Sequence, residues 1–337
     1  MTEARPIRPP VFTSDNEYLS RLADVEYWRP FVGAVLERNS LAGAGREPVA
    51  GVGGSCPAFL CGDVVVKLFG HTRAWREGYR AERAAHVLIA GDAGISAPTL
   101  IADGRLFIGS ESSWPYLITR RIHGLDWTVS TLSDSQKADI AVDLGRQIRR
   151  VHALHPWGGV ATQADWPVRN VAEAAARSSL PPHLARQAEE FVARIGLLDN
   201  PNMYKSDRSA GSVRDKPEGL VFVPGDLFPR HILVEHGRLT GIIDWGDAMV
   251  TDRHYELAKL FLDTFHCDKK LLRTFLDASN WPVGKDFARR ALALALCRQA
   301  IGLSQHLTND TFFKLSQLFP LKDIRTLDDL ATEVFGI

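Results

Sequence analysis

Apolar positions divide this chain into two stretches of different character. In the first, Val25, Trp28, Phe31, Val32, Val35 and Leu36 recur at the spacing of one helical face. Gly51-Val-Gly-Gly-Ser55, the apolar run 58–60, a turn at Gly62-Asp63 and Val64-Val-Val-Lys67-Leu-Phe69 then read as strand, glycine loop, strand. Residues 75–89 carry a helical pattern, ended by Gly91-Asp-Ala-Gly94 and Pro98, and two more strands are expected around 106–108 and 116–119. This predicts a mostly antiparallel sheet with one internal helix up to about residue 121.

Beyond Gly124 the period lengthens. Ile140, Leu144, Ile148 and Val151 mark a long amphipathic helix, and Leu184, Ala188, Phe191 and Ile195 mark a second. Residues 200–219 are polar, glycine- and serine-rich and without period, which predicts a mobile loop. Residues 255–265 and 287–305 read as helices. The expected organisation is α+β and bilobal: an N-terminal lobe over 1–121, a hinge near 119–124, and a mostly helical C-terminal lobe over 122–337.

The densest chemistry lies in Val223-Pro-Gly-Asp226-Leu-Phe-Pro-Arg-His231 and Thr240-Gly-Ile-Ile-Asp244-Trp-Gly-Asp247. Residues 232–234 and 239–243 predict two strands turning at Glu235-His236-Gly237-Arg238. A hairpin brings its ends together, so Asp226, His231 and Asp244 are expected to converge. Phosphoryl transfer needs that arrangement, one carboxylate to orient a hydroxyl and further ligands for Mg²⁺ against nucleotide phosphates. An isolated aspartate after a strand is usually a turn former; two at this spacing, with a lysine and a glycine loop upstream, are hard to explain that way.

The other candidates each have an ordinary reading. The glycine loop could cradle phosphates through its N–H groups, or be a turn between strands. Lys67 could be a solvated strand lysine, or the phosphate-binding lysine paired with a helical carboxylate. Glu82 is preferred over Glu77 for that pair because it shares a stripe with Ala85 and Leu88. Asp252 reads as an N-cap with Glu256 in the first turn. His152 and His155 read as packing or surface residues.

Composition narrows the partners. The 337 residues hold 40 Lys plus Arg against 40 Asp plus Glu, so no net charge argues for nucleic acid or an anionic membrane. Cys56, Cys61, Cys267 and Cys297 form no Cys-x-x-Cys pair, which favours reduced thiols. Residues 1–10 contain no apolar core of a signal peptide, and no run approaches a membrane span. A cytoplasmic protein is expected.

These residues resemble the aminoglycoside and macrolide antibiotic phosphotransferases, a family with a protein-kinase-like fold. The family signature H-G-D-x-x-x-x-N is matched by Pro224-Gly-Asp226-Leu-Phe-Pro-Arg-His231, and its metal-binding I-D-W by Ile243-Asp244-Trp245. Within the family the likeness is greatest to hygromycin B phosphotransferases of the actinomycete type. It rests on Asp24-Val-Glu-Tyr-Trp28, Val66-Lys-Leu-Phe-Gly70, Trp114-Pro-Tyr-Leu117, Leu144-Gly-Arg146 and Asp252-Arg-His-Tyr255.

The resemblance implies a Mg²⁺-dependent kinase using ATP or GTP on a hydroxyl of a small antibiotic. By position, Asp226 would orient or deprotonate that hydroxyl, Asp244 and His231 would hold Mg²⁺, and Lys67, steadied by Glu82, would hold the α- and β-phosphates. Gly53 and Ser55 would line the phosphates, while the Arg120 carbonyl and the Ile122 N–H would meet the base. Two positions depart from the signature: Pro224 replaces its histidine and His231 its asparagine. Pro224 has no N–H to brace the loop, and hard Mg²⁺ prefers oxygen to imidazole. Aminoglycosides are polycations, so Asp247, Glu256 and Asp263 are expected to face the acceptor. Lys259, Lys269, Lys270 and Arg273 interrupt that acidic run, which keeps a nucleoside antibiotic, a macrolide or a non-catalytic nucleotide-binding role as alternatives.

Overall fold

Hydrophobic spacing builds the first part of the chain as read, with one strand displaced. In a computed structural model, residues 7–43, 46–72, 74–107, 113–155, 160–162, 170–196, 219–304 and 310–337 are described. The chain divides into two compact units, 1–91 with 97–122, and 92–96 with 123–337.

The first unit begins with helices α1 (Asp15–Arg21) and α2 (Val25–Arg38), N-capped by the side chains of Ser14 and Asp24. Its antiparallel sheet contains β1 (Val49–Ala50), β2 (Ala58–Cys61), β3 (Val64–Leu68), β4 (Leu100–Leu106) and β5 (Trp114–Arg120), in the order β1-β2-β3-β5-β4. Strand β4 lies earlier than the expected 106–108, and Ile108 is outside the described residues. Its alternation of exposed and half-buried residues (only Leu106 is buried) hid it.

Along β3 the period of two sends Val64, Val66 and Leu68 into a core with Trp28, Val32, Val35, Phe59, Trp114 and Ile118. Each such side chain contributes roughly 1.5–3 kcal/mol on leaving water. Val65 and Lys67 therefore emerge on the other face. Helix α3 (Trp75–Ile89) supplies the buried Glu82, and its Tyr79 joins Phe69 and Leu117 in a second core.

In the second unit, β6 (Leu125–Asp126) precedes α4 (Asp134–Ala153), which opens with a capping box between Ser133 and Gln136. After β7 (Ala161–Thr162) come α5 (Val171–Ala176), α6 (Pro182–Ala185) and α7 (Ala188–Arg194). The last two replace the single second helix expected. The chain breaks at Arg186-Gln187, where the Gln187 side chain donates to the His183 and Arg325 carbonyls and accepts from Leu327 N–H. The loop expected over 200–219 lies outside the described residues except for its last position.

Strand β8 (Leu220–Val223) is buried throughout, and β9 (Ile232–Glu235) and β10 (Arg238–Ile242) form the expected hairpin. Its two turn residues, His236 and Gly237, both have positive φ, 51° and 73°, the conformation that matches strand twist. Strand β11 (Met249–Asp252) pairs with β8 and β7, while β9 pairs with β6.

Residues 253–264 are less regular than the expected helix: a 3₁₀ turn (Arg253–Glu256), α8 (Leu257–Lys259) and a π turn (Leu260–Thr264). Asp252 caps this segment, as the sequence suggested, and also pairs with Arg290 and His254. Then follow α9 (Lys269–Ser279), α10 (Phe287–Ser304), α11 (Phe313–Leu318) and α12 (Leu327–Phe335). Helix α4 packs along α9, and α10 lies against α5, α7 and α12. Cys56, Cys61 and Cys297 are buried and joined in no disulfide. Among the described residues, no helix is long and apolar enough to cross a membrane.

Candidate active site

In the first unit, Lys67 Nζ and Glu82 Oε2 form an ion pair at 2.7 Å, with both side chains largely withdrawn from water. Glu77 is exposed on α3. His86 Nε2 stands 4.0 Å from the other Glu82 oxygen, and Lys67 Nζ lies 5.5 Å from the centre of the Phe69 ring. The β1–β2 turn holds Gly53 and Gly54 at φ 74° and 100°. Its Ser55 carbonyl accepts from the Tyr18 hydroxyl at 2.9 Å, tying the glycine loop to α1. Arg120 ends β5, with its N–H on the Thr99 carbonyl and its guanidinium paired with Asp63. Ile122 is half-buried two residues further on.

In the second unit, the buried β8 delivers the chain into Pro224-Gly225-Asp226. Gly225 has φ 86°, and a Cβ built there would stand 1.9 Å from the Asp247 carbonyl oxygen, so both conformation and space demand glycine. The loop is then fastened residue by residue. Gly225 N–H donates to Glu256 Oε1 at 2.7 Å, and the Leu227 carbonyl accepts from Thr264 Oγ1 at 2.9 Å. Trp127 N–H donates to the Pro229 and Ile232 carbonyls. Arg298, on α10, donates from Nη1 to the Gly225 carbonyl and from Nη2 to Asp226 Oδ1, the latter at 2.7 Å.

His231 occupies the space between the two aspartates. Its Nδ1 lies 2.9 Å from the Asp226 carbonyl oxygen and 3.4 Å from Asp226 Oδ2; its Nε2 lies 3.4 Å from Asp244 Oδ2. A carbonyl only accepts, so Nδ1 carries a proton, and Nε2 faces the Asp244 carboxylate. Asp244 itself is left-handed at φ 61°, a conformation that aspartate tolerates better than most residues. Trp245 stacks on Phe222 of β8, centroids 6.3 Å apart and planes within 10°, and its Nε1 donates to the Ile242 carbonyl.

The three residues expected to face an acceptor have different fates. Asp247 is exposed, and the protein around it and the Asp226 carboxylate push its carboxyl up to about 6, against Arg298. Glu256 is a correction. It is fully buried, burial raises its carboxyl to about 8, and its oxygen is spent on Gly225. Asp263 is a second correction: its Oδ2 accepts from Lys259 Nζ at 2.9 Å, one helical turn away, which neutralises it.

Arg298 was missed by sequence reading. Burial alone would lower its proton affinity, but Tyr255, Asp226, Asp247 and Glu256 outweigh that and hold the guanidinium charged. Its Cζ sits 5.0 Å from the Tyr255 ring centre.

Among the described residues, no three His, Cys, Asp or Glu side chains form a metal cage. Mg²⁺ does not need one, being usually bound through one or two carboxylates with phosphates and water completing its shell. Asp244 supplies one such carboxylate, with His231 Nε2 beside it at 3.4 Å as a weaker nitrogen donor.

The chain matches the Phosphotransferase enzyme family over residues 55–294. Among solved structures, it resembles the GDP complex of wild-type aminoglycoside 2′-phosphotransferase-IIIa. The TM-score is 0.59 at 18% identity, over 90% of this chain and 99% of that one. An aminoglycoside phosphotransferase of Streptomyces rimosus, solved with ADP and streptomycin, aligns with TM-score 0.55 at 15% identity over 81% and 98%. A macrolide 2′-phosphotransferase of Brachybacterium faecium gives 0.55 at 16% over 87% and 98%. At these identities the likeness establishes the kinase-like fold. A stretch of 47 residues is 40% identical to a hygromycin-B 4-O-kinase from Escherichia coli, covering only 14% of either chain.

Proposed function

Because this chain belongs to the Phosphotransferase enzyme family, we propose that it transfers the γ-phosphate of ATP or GTP to a hydroxyl of a small antibiotic, with an aminoglycoside such as hygromycin B as the first candidate. One observation carries the reading. Asp226 and Asp244, far apart along the hairpin, meet the two nitrogens of one imidazole at 3.4 Å each.

Each residue then has a task. Asp226 orients the acceptor hydroxyl through Oδ2 and takes its proton as the phosphoryl group arrives. Lys67, held by Glu82, holds the α- and β-phosphates, with Gly53 and Ser55 of the glycine loop beside them. The Arg120 carbonyl and the Ile122 N–H meet the base. Asp244 and His231 would hold Mg²⁺, which when bound neutralises charge on the phosphate oxygens. Positioning and charge neutralisation account for the chemistry, with no covalent intermediate on the protein.

A second reading of the acceptor has its own support. Of the acidic residues after Asp244, Glu256 is buried, Asp263 is paired with Lys259, and Asp252 is buried with Arg290. That leaves Asp247 as the open carboxylate of the three expected to face a polycation. A less cationic acceptor, such as a macrolide, suits this better. Both readings are tested by incubating the purified protein with Mg²⁺ and ATP or GTP against hygromycin B, kanamycin, streptomycin, a macrolide and a nucleoside antibiotic. Mass spectrometry would read a one-phosphate gain. Nucleotide binding with no phosphorylated product from any acceptor would overturn both in favour of a non-catalytic role.

A further inference from the structure

We propose that Arg298 is the positioning residue that sets the catalytic carboxylate of Asp226. This rests on the phosphotransferase reading above and deepens it. The guanidinium grips two consecutive groups of one loop, the Gly225 carbonyl and Asp226 Oδ1. A planar fork bound at two points fixes direction as well as distance, which a lysine ammonium cannot do. With Oδ1 occupied, Oδ2 is the oxygen left for the acceptor hydroxyl, and it lies on the His231 side of the carboxylate.

The anchor itself is rigid. Arg298 projects from the eighteen-residue α10, in which every residue from Ala291 to Cys297 is buried, and it lies over the Tyr255 ring. The loop also needs an outside brace. Pro224 offers neither an N–H nor a side-chain donor, and Gly225 has no side chain. The Gly225 N–H is held by Glu256, while Asp226 Oδ1 is held by Arg298. Burying a guanidinium is costly unless it is paired. Of the carboxylates around it, Glu256 is pushed toward its neutral acid, so Asp226 is the direct ionic partner.

The test compares kcat, acceptor KM and nucleotide affinity in wild type, Arg298→Met, Arg298→Lys, Asp226→Asn and the Arg298→Met/Asp226→Asn double variant. Thermal unfolding would be recorded for each. Arg298→Met should lower kcat on the order of 10²-fold, the scale of a catalytic group displaced by about 1 Å. Nucleotide affinity should stay unchanged. Arg298→Lys keeps the charge without the fork and should show an intermediate kcat. In the Asp226→Asn background the methionine substitution should add little, because the two residues act as a unit.

If Arg298→Met does not fold, a folded Arg298→Lys with wild-type kcat overturns the proposal. Multiplicative losses in the double variant overturn it too. A wild-type protein that phosphorylates no acceptor removes the functional reading and this inference together. An active wild type beside an indifferent Arg298→Lys removes only the inference.

Discussion

Gly225 donates its backbone N–H to a carboxyl oxygen of Glu256 that has no contact with solvent. The bond joins a turn that only glycine can make to the 3₁₀ segment after β11. The carboxyl group survives there chiefly as a neutral acid, because burial raises its pKa from 4.5 to about 8. A folded-state pKa above the unfolded one means that the native protein holds the proton more tightly. Stability from this group is full below about pH 4.5 and declines as pH rises toward 8.

Glu256→Gln should therefore flatten the fall in stability between about pH 6 and 8, the window left once Asp247 has titrated. The amide keeps an acceptor for Gly225 and cannot ionise. One titrating group contributes at most ~1.4 kcal/mol per pH unit. Urea denaturation at a series of pH values would measure it, and parallel curves for wild type and variant would refute the buried-acid account.

Asp226→Asn preserves shape and removes the base. Nucleotide affinity is expected to hold, while kcat falls by about 10²–10⁴-fold. A turnover close to wild type would show that another group receives the acceptor proton.

The Lys67–Glu82 pair separates stability from binding. Lys67→Met should weaken nucleotide binding and also destabilise the protein, because Glu82 loses its nearest counter-charge; breaking a buried pair costs about 3–5 kcal/mol. Adding Glu82→Leu should recover most of the stability and none of the binding. Calorimetric titration with nucleotide, paired with denaturation, tests this. Restored binding in the double variant would mean that Lys67 does not hold phosphate.

His231→Asn replaces an imidazole lone pair with an amide oxygen, a harder donor. The Mg²⁺ concentration for half-maximal rate should fall in this variant and rise in His231→Ala. Superimposable Mg²⁺ titrations of all three proteins would exclude His231 from the metal's ligands.

The hairpin was readable because two short apolar runs flank the turn at 235–238, and closure brings Asp226, His231 and Asp244 together. Lys67 and Glu82 were readable as a strand position and a helix stripe. The bracing of the loop was not. Arg298 reaches Asp226 across 72 positions from the end of the apolar run 291–297, a pairing created by tertiary packing that leaves no local trace. Glu256 looked like a first-turn carboxylate, and its burial depends on where β11 packs against β8. The Lys259–Asp263 spacing of four was visible, yet reading the acidic residues as a group concealed it. The split between α6 and α7 depends on where Gln187 finds its partners, far along the chain.

The stacking of Phe222 on Trp245 has a thermal consequence. One ring lies on the strand leading to Asp226 and the other immediately follows Asp244, so the gap between the carboxylates is spanned by core contacts as well as by loops. Heating cannot widen that gap gradually without first parting two buried rings. Activity measured against temperature should therefore hold its shape and then vanish with the cooperative melting of this unit, with no earlier softening.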